Sequence, residues 1–256
     1  AGQIPLGAQG KGHGLLHEIP DQFGILERLT KSSHRITGPA DAAATLQAAF
    51  RDLKSGRPRP VGLEVAVNLW GQAVADAGSG LKIDPDATPP LDADALDQAA
   101  RMVAAARSPM IVVGGGAQDD AEAVRQLAER IGAPVVAFRN GHGIMPGDED
   151  LSIGMPVAHS LWADVDLVIG LGTRLQSQVM SWGQDDAMKI IHIDIDEAQI
   201  GRSAKVDVGI NARLCDALPA LLAAVEAKAD PNADWLARAA DAKARRAGEY
   251  AQRLGP

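Results

Sequence analysis

The stretch that decides the fold is Pro109–Gln118, which reads PMIVVGGGAQ. A short, continuously apolar run passes directly into three glycines, Gly114 to Gly116. Apolar runs of this length, bounded by glycine, are typical of strands that are buried on both faces of a sheet. The next segment, DDAEAVRQLAERIG, has the apolar spacing of a helix. The sequence therefore predicts a strand, a tight turn and a helix in succession.

The same pattern recurs further along the chain. Four more apolar runs, PVVAF, DLVIGLG, KIIHIDID and VDVGIN, begin at residues 134, 166, 189 and 206. A second helical segment, NARLCDALPALLAAVEA, follows the last of them. Strands of this kind with helices between them predict an α/β fold, in which a central parallel sheet has helices on both faces. We therefore expect a Rossmann-like domain here.

The region before this domain has a different character. PADAAATLQAAFRDLKSG has helical spacing from Pro39 to its end at Gly56, and a short strand follows at Val61–Val65. The glycines near the start and the Pro20-Asp21 pair predict irregular loop before that helix. A single αβ pair cannot bury a sheet, so we expect an incomplete αβ segment.

Composition indicates the domain boundaries. Residues 71–90 are rich in Gly, Asp, Ala and Pro and predict an extended linker between segment 1–70 and the central domain, 91–228. That domain opens with a predicted helix from Asp92 to Ala106, capped by Asp92 or Asp94. Residues 229–256 predict a linker helix. Because the chain opens without methionine and closes on Gly-Pro, we expect a piece of a longer protein.

The overall composition restricts the function classes. A formal net charge of -8 and the lack of a basic stripe argue against nucleic-acid partners. The single cysteine, Cys215, cannot form an intrachain disulfide or a cysteine-based zinc site, and no other metal site is predicted. No apolar run reaches the roughly 18 residues of a membrane span, and no signal-peptide pattern is visible. We therefore expect a cytoplasmic protein without a membrane partner.

The glycine turn has two interpretations. Backbone amides at Gly114 to Gly116, aided by the helix dipole, could hold a phosphate. The spacing lacks the third glycine of a dinucleotide fingerprint, however, and Asp119 and Asp120 would repel a phosphate. The alternative is a tight turn between strand and helix, in which Asp119 and Asp120 cap the helix. The sequence leaves both interpretations open.

Other candidate residues lie at strand ends or in loops. Arg174, after the third strand, could hold a phosphate or form a surface ion pair. Asp194 and Asp196 could accept from a ribose hydroxyl or cap the next helix. His192, inside the same strand, is predicted to be a packed core residue. Nearer the start, His17 and Glu18 are adjacent and could act as an acid–base pair.

Several segments, taken in order, resemble the thiamine diphosphate-dependent enzymes of the acetolactate synthase and 2-oxo acid decarboxylase type. HEIPDQFGILERLTKSSHRI resembles the end of their pyrimidine-binding domain, with His17-Glu18 in place of a frequent Gln-Glu and with the Thr30-Lys31 pair. SGRPRPVGLEVAVNLW resembles the closing αβ unit of that domain. ARSPMIVVGGGAQ, IGAPVVAFRNGHGIMPGDED, DLVIGLGTRL and KIIHIDIDEAQIG resemble the central domain of the family.

The resemblance implies a central-domain fragment of a lyase or carboligase, the latter a transferase, that acts on a 2-oxo acid or a related substrate. In this family thiamine diphosphate and magnesium are held by other domains. The activating glutamate precedes the segments matched here, and the diphosphate motif, Gly-Asp-Gly followed by Asn, does not occur in the sequence. The implied partners are the pyrimidine and diphosphate domains of the parent chain, in a homodimer or homotetramer. The resemblance thus implies that this chain alone is inactive.

In some members of the family the central domain binds FAD or ADP. The resemblance assigns such a site to Gly114, Gly115, Gly116, Phe138, Arg139, Gly172, Thr173, Arg174, Asp194 and Asp196. Three segments depart from the FAD-binding members: Pro156 replaces a histidine, Phe138-Arg139 replaces Thr-Leu, and Leu175-Gln176-Ser177 replaces Phe-Asp-Asp. These departures favour an empty structural domain.

Two alternatives remain at this point. GLGTRL and HIDID also resemble strands of the sirtuin-like NAD-dependent deacylases, although those enzymes usually carry a four-cysteine zinc module that this chain cannot supply. The other alternative is a non-catalytic nucleotide-binding module.

Overall fold

The computed structural model describes residues 4–74, 82–86, 88–225 and 232–255. The chain divides into two compact units, Ala1–Ala87 and Thr88–Pro256. Within the described residues, no helix is long and apolar enough to cross a membrane.

The first unit is built around a two-stranded parallel sheet. Its elements in chain order are α1 (Gln22–Leu29), β1 (Ser33–Ile36), α2 (Pro39–Lys54) and β2 (Gly62–Val65). In the register, Ser33 lies opposite Gly62 and Ile36 lies opposite Val65. The predicted helix from Pro39 and the strand near Val65 are confirmed. Helix α2 is the crossover between the two strands, so the unit contains a βαβ motif, in which β1 adds one strand to the predicted αβ pair.

Between Pro20 and Pro39 the structure contains two elements that were not predicted. Helix α1 begins directly after Asp21, whose carboxylate accepts from the backbone N–H of Gly24 at 2.8 Å. This capping bond starts a helix of eight residues, none of them buried, which is too short for its apolar spacing to predict a helix. Strand β1 reads SHRI, and only Ile36 in it is buried. Because this strand is mostly polar, it forms no apolar run in the sequence. It is recognised as a strand through its pairing with β2.

The second unit contains a six-stranded parallel sheet with helices on both faces, which confirms the predicted fold class. Its strands are β3 (Pro109–Val113), β4 (Val135–Ala137), β5 (Ser152–Ile153), β6 (Leu167–Leu171), β7 (Lys189–Asp194) and β8 (Val208–Asn211). Its helices are α3 (Ala93–Ala105), α4 (Ala121–Ile131), α5 (Met155–Leu161), α6 (Gln176–Trp182), α7 (Leu214–Ala224) and α8 (Ala233–Leu254). The two-residue β5 was not predicted, because it is too short to form a pattern.

The strand order is β5-β4-β3-β6-β7-β8, and each neighbouring pair is parallel. The chain first adds strands on one side of β3 and then returns to add β6 on the other side. This reversal places a topological switch point between β3 and β6, as in Rossmann-like folds. Side chains of β3 point alternately to the two faces of the sheet and pack into two apolar clusters. Ile111 and Val113 lie in one cluster, and Met110 and Val112 lie in the other.

Helix α8 is packed into the second unit. Trp235, near its start, is 2% exposed, and its indole Nε1 donates to the carbonyl oxygen of Pro109 at 3.0 Å. Ala239 and Ala242 follow at helical spacing and are buried with it. The segment predicted as a linker helix therefore contributes to the core beneath one face of the sheet.

Candidate functional site

The candidate site lies where β3 and β6 end side by side. Val113 pairs with Leu171 at the last position of the two strands. The glycine turn, Gly114 to Gly116, continues from β3, and the turn Gly172 to Arg174 continues from β6. In open α/β sheets, ligands bind outside the carboxyl ends of the strands at such a switch point.

The two turns are packed against each other, backbone to backbone. The N–H of Gly114 donates to the carbonyl oxygen of Leu171, and that of Gly116 donates to Gly172, both at 3.1 Å. Gly172 has a φ of +55°, and a Cβ there would lie 2.6 Å from the Cα of Gly116. These glycines therefore permit close approach of two turns. The backbone N–H groups of Gly114 and Gly116 are both hydrogen-bonded in that contact.

A third turn, after β4, joins this contact. Gly141 is buried, and a Cβ on it would lie 2.5 Å from the carbonyl oxygen of Val113. The side-chain amide of Gln118 donates to the carbonyl oxygen of Asn140 and, at 3.2 Å, to that of His142. Gln118 and Gly141 were not predicted as parts of this site. The glycine-rich NGHG stretch was the available signal.

The exposed arginines Arg139 and Arg174 bring positive charge to the ends of β4 and β6. Arg139 has a φ of +47°, and its guanidinium lies over the ring of Phe138 at 5.0 Å from the centroid. Arg174 is exposed at the end of β6. Both lie among the strand ends where the resemblance places an anionic ligand.

Negative charge follows the glycine turn. A short 3-10 helix, Gly115–Asp120, precedes α4. Asp120 occupies the N-cap position of α4, but its side chain accepts no capping hydrogen bond, so the predicted capping by Asp120 is wrong. Asp120 is the last residue of the 3-10 helix, and its backbone, at φ −116° and ψ 22°, lies outside the extended region that capping residues usually adopt. Burial, followed by the charge of Asp119, raises the pKa of Asp120.

The carboxylates after β7 organise their own turn. Asp194 is 7% exposed, and its Oδ1 accepts from the backbone N–H of Asp196 at 2.9 Å. Asp196 accepts in turn from the side-chain amide of Gln199 at 3.2 Å. These contacts serve the turn, and a role toward a ribose hydroxyl stays a prediction.

His192 joins β7 to the turn after β6. It is 1% exposed, and its Nε2 donates to the carbonyl oxygen of Thr173 at 2.7 Å. A carbonyl can only accept, so this nitrogen carries the proton of the neutral ring. Burial lowers the pKa of His192 and favours that neutral form. The prediction of a packed core histidine is confirmed.

His17 and Glu18 lie in the first unit. The carboxylate of Glu18 accepts from the backbone N–H groups of Gly12, His13 and Leu15 at 2.8, 3.3 and 3.0 Å. These bonds, led by that from Leu15, lower the pKa of Glu18. His17 is exposed with a φ of +65°. Between these two side chains the described structure has no hydrogen bond, so their acid–base role stays a prediction.

The region that contains this site is similar to a domain of known proteins. Residues 96–221 match the family model described as thiamine pyrophosphate enzyme, central domain. The matched region covers the sheet and the switch point described above. The chain belongs to the thiamine pyrophosphate enzymes.

The chain is also similar to individual proteins of this kind. The chain is 29% identical to acetolactate synthase isozyme 1 large subunit of Escherichia coli, over 94% of this chain and 43% of that protein. It is 30% identical to a probable 2-ketoarginine decarboxylase of Pseudomonas aeruginosa, over 92% and 43%. It is 32% identical to an acetolactate synthase large subunit of Corynebacterium glutamicum, over 92% and 40%. The chain thus spans about two fifths of the length of these relatives.

The family implies thiamine diphosphate, and the described residues do not fit its magnesium–diphosphate group. Within the described ranges, no group of three His, Cys, Asp or Glu side chains could hold a metal ion. Glu18, in the first unit, is bound to three backbone amides and has a lowered pKa. No catalytic step through thiamine diphosphate can therefore be assigned to these residues.

Proposed function

We propose that this chain serves as the central domain of a larger thiamine diphosphate-dependent lyase or carboligase acting on a 2-oxo acid. In this proposal its role is structural: it supports the pyrimidine and diphosphate domains of the parent chain, which assembles as a homodimer or homotetramer. Thiamine diphosphate and magnesium are bound by those other domains. The chain alone does not turn over substrate.

One observation carries the structural part of this proposal. At the switch point, where a nucleotide phosphate would meet free backbone amides, Gly116 donates to Gly172 and the two turns touch. Asp119 and Asp120 add negative charge behind the turn. A closed glycine contact of this kind supports an architectural role over a phosphate cradle.

Turnover measurements test the proposal. The chain is incubated with pyruvate, thiamine diphosphate and Mg²⁺, and carbon dioxide release and acetolactate formation are followed. We expect no release above the protein-free control. Sustained turnover that requires both cofactors would overturn the claim that this chain is inactive alone. A full-length acetolactate synthase serves as the positive control.

A nucleotide-binding module is the second candidate. It is favoured by Arg139 and Arg174, which expose two guanidinium groups at the same edge of the sheet. An adenine nucleotide such as FAD or ADP would place its phosphates on these side chains instead of on the glycine turn. The loss of nucleotide binding in an Arg139→Gln, Arg174→Gln variant would support this alternative.

A further inference from the structure

A cavity of about 220 Å³ lies within the first unit, outside the residues that match the central-domain family. It is bounded by the loop that precedes α1, the start of α1 and the two strands. Its ionisable lining consists of Arg35 and Glu64 from the strands, and His17, Glu18 and Asp21 from the loop. Neither the structural role of the second unit nor a nucleotide site makes use of it.

Arg35 is held rigidly in the wall of this cavity. Its Nε donates to the carboxylate of Glu64, which is 2% exposed, and the side-chain amide of Gln22 donates to the same carboxylate at 3.1 Å. The guanidinium also stacks on the ring of Phe23, at 4.5 Å from the centroid. Among the described residues, its two terminal amino groups have no acceptor. They form a preorganised pair of donors that suits a carboxylate.

The loop side of the cavity carries the opposite charge. Glu18 is fixed by the backbone amides of its own loop, and Asp21 is fixed by the N–H of Gly24. Both carboxylates have further lone pairs that could accept from a ligand, and the pKa of Glu18 is lowered by its backbone hydrogen bonds. A simple anion on Arg35 would meet these two carboxylates as well as Glu64, and a simple cation would leave the terminal N–H groups of Arg35 without an acceptor. A ligand with both charges is attracted by both walls.

We propose that this cavity binds a compact zwitterion of the α-amino acid class. Its carboxylate accepts from the terminal amino groups of Arg35, and its ammonium group lies toward Asp21 and Glu18. The volume is below the roughly 300 Å³ at which pockets for drug-sized ligands begin, so only a small side chain fits. The site is independent of the proposed function, and its test does not measure turnover.

Three ligands of nearly equal size separate the possibilities. L-alanine carries both charges, propionate lacks the ammonium group and ethylamine lacks the carboxylate. We expect saturable shifts of the backbone amide NMR signals around the cavity with L-alanine. Binding of the other two should be weaker by about tenfold or more, since each loses one charge-assisted contact. Equal binding of all three, or no saturable shift with L-alanine, would overturn the proposal.

Two variants locate the site. Arg35→Gln combined with Glu64→Gln removes the anchor without leaving an unpaired buried charge, and should weaken L-alanine binding about tenfold or more. Asp21→Asn keeps the helix cap but removes a charge, so the preference for L-alanine over propionate should shrink. Arg238→Gln, on α8, is the matched control and should bind as the parent chain does. Unchanged L-alanine binding in the folded double variant, or an unchanged preference in Asp21→Asn, would contradict the assignment.

Discussion

Different kinds of interaction stabilise the interiors of the two units of this chain. In the described part of the first unit four apolar side chains are buried, namely Ile4, Ile36, Ala49 and Ala66. The second unit buries two extensive apolar clusters on the two faces of a six-stranded sheet. The first unit relies instead on side chains that bind backbone, with Lys31 and Glu18 as the main examples. Apolar burial grows with the size of a sheet, whereas polar tethers act locally.

This difference predicts that the second unit is the more stable one. Native-state hydrogen exchange should show slower exchange in β3, β6 and β7 than in β1 and β2. Each of the following substitutions tests this expected difference in stability between the two units.

The largest effect is expected from Trp235→Ala. It removes a buried indole and its hydrogen bond to Pro109, and should lower the free energy of unfolding of the second unit by about 3–5 kcal/mol. Phe50→Ala, at a position that is 45% exposed in the first unit, is the control and should change stability by less than about 1 kcal/mol. Urea unfolding followed by hydrogen exchange measures both. A small effect of Trp235→Ala would mean that α8 is not part of the core.

Gly172→Ala tests the contact between the two turns. The new methyl group would lie 2.6 Å from Gly116 while the backbone keeps a φ of +55°, so we expect a loss of more than about 2 kcal/mol. Gly201→Ala shares the positive φ, at +73°, but its nearest atom lies 4.0 Å away. It should cost about 1 kcal/mol. Equal losses in the two variants, measured by thermal unfolding, would show that the turns are not tightly packed.

Lys31→Met tests a polar tether of the first unit. The ammonium group donates to the carbonyl oxygens of Asp52 at 2.6 Å and of Arg57 at 3.3 Å, and also to that of Ser55. These bonds close the end of α2, so their loss should cost about 1–2 kcal/mol. Lys54→Met removes an exposed charge from the same helix end and is the control. Hydrogen exchange of the α2 amides should rise in the first variant only.

His192 predicts a pH dependence that is confined to the second unit. Its pKa is lowered in the folded chain, so the unfolded chain binds the proton more readily. The stability of the second unit should therefore fall as the pH drops below about 6.5, the ordinary histidine value, by at most about 1.4 kcal/mol per pH unit. The decline ends below the folded pKa. In His192→Asn this component should vanish; an unchanged pH profile would assign it to other groups.

The sequence predicts the second unit far better than the first. Strands β3 and β6 are apolar along their whole length, and β7 contains the isoleucines Ile190, Ile191 and Ile193. Each of these strands can therefore be recognised without reference to its neighbours. Strand β1 reads SHRI, and its structure depends on β2, which lies almost thirty residues further on. The residues of β1 and their immediate neighbours in the sequence therefore do not predict this strand.

The candidate site was predictable in its position but not in its form. Glycine turns at the ends of buried strands locate the switch point. Whether the turns are open or closed depends on the register that brings Gly172 beside Gly116, which is set by pairing between distant strands. For the same reason Asp120 was expected to cap α4, since nothing in the sequence marks the 3-10 helix that ends at it.

Titration with nucleotides tests the central claim, that the switch point is closed and the domain is architectural. FAD and ADP are titrated separately into the full chain by isothermal calorimetry, and backbone amide NMR signals of the glycine turn are followed in parallel. We expect no saturable heat and no shift of the Gly114 to Gly116 amides at millimolar ligand. Saturable binding with shifts at those glycines would contradict it.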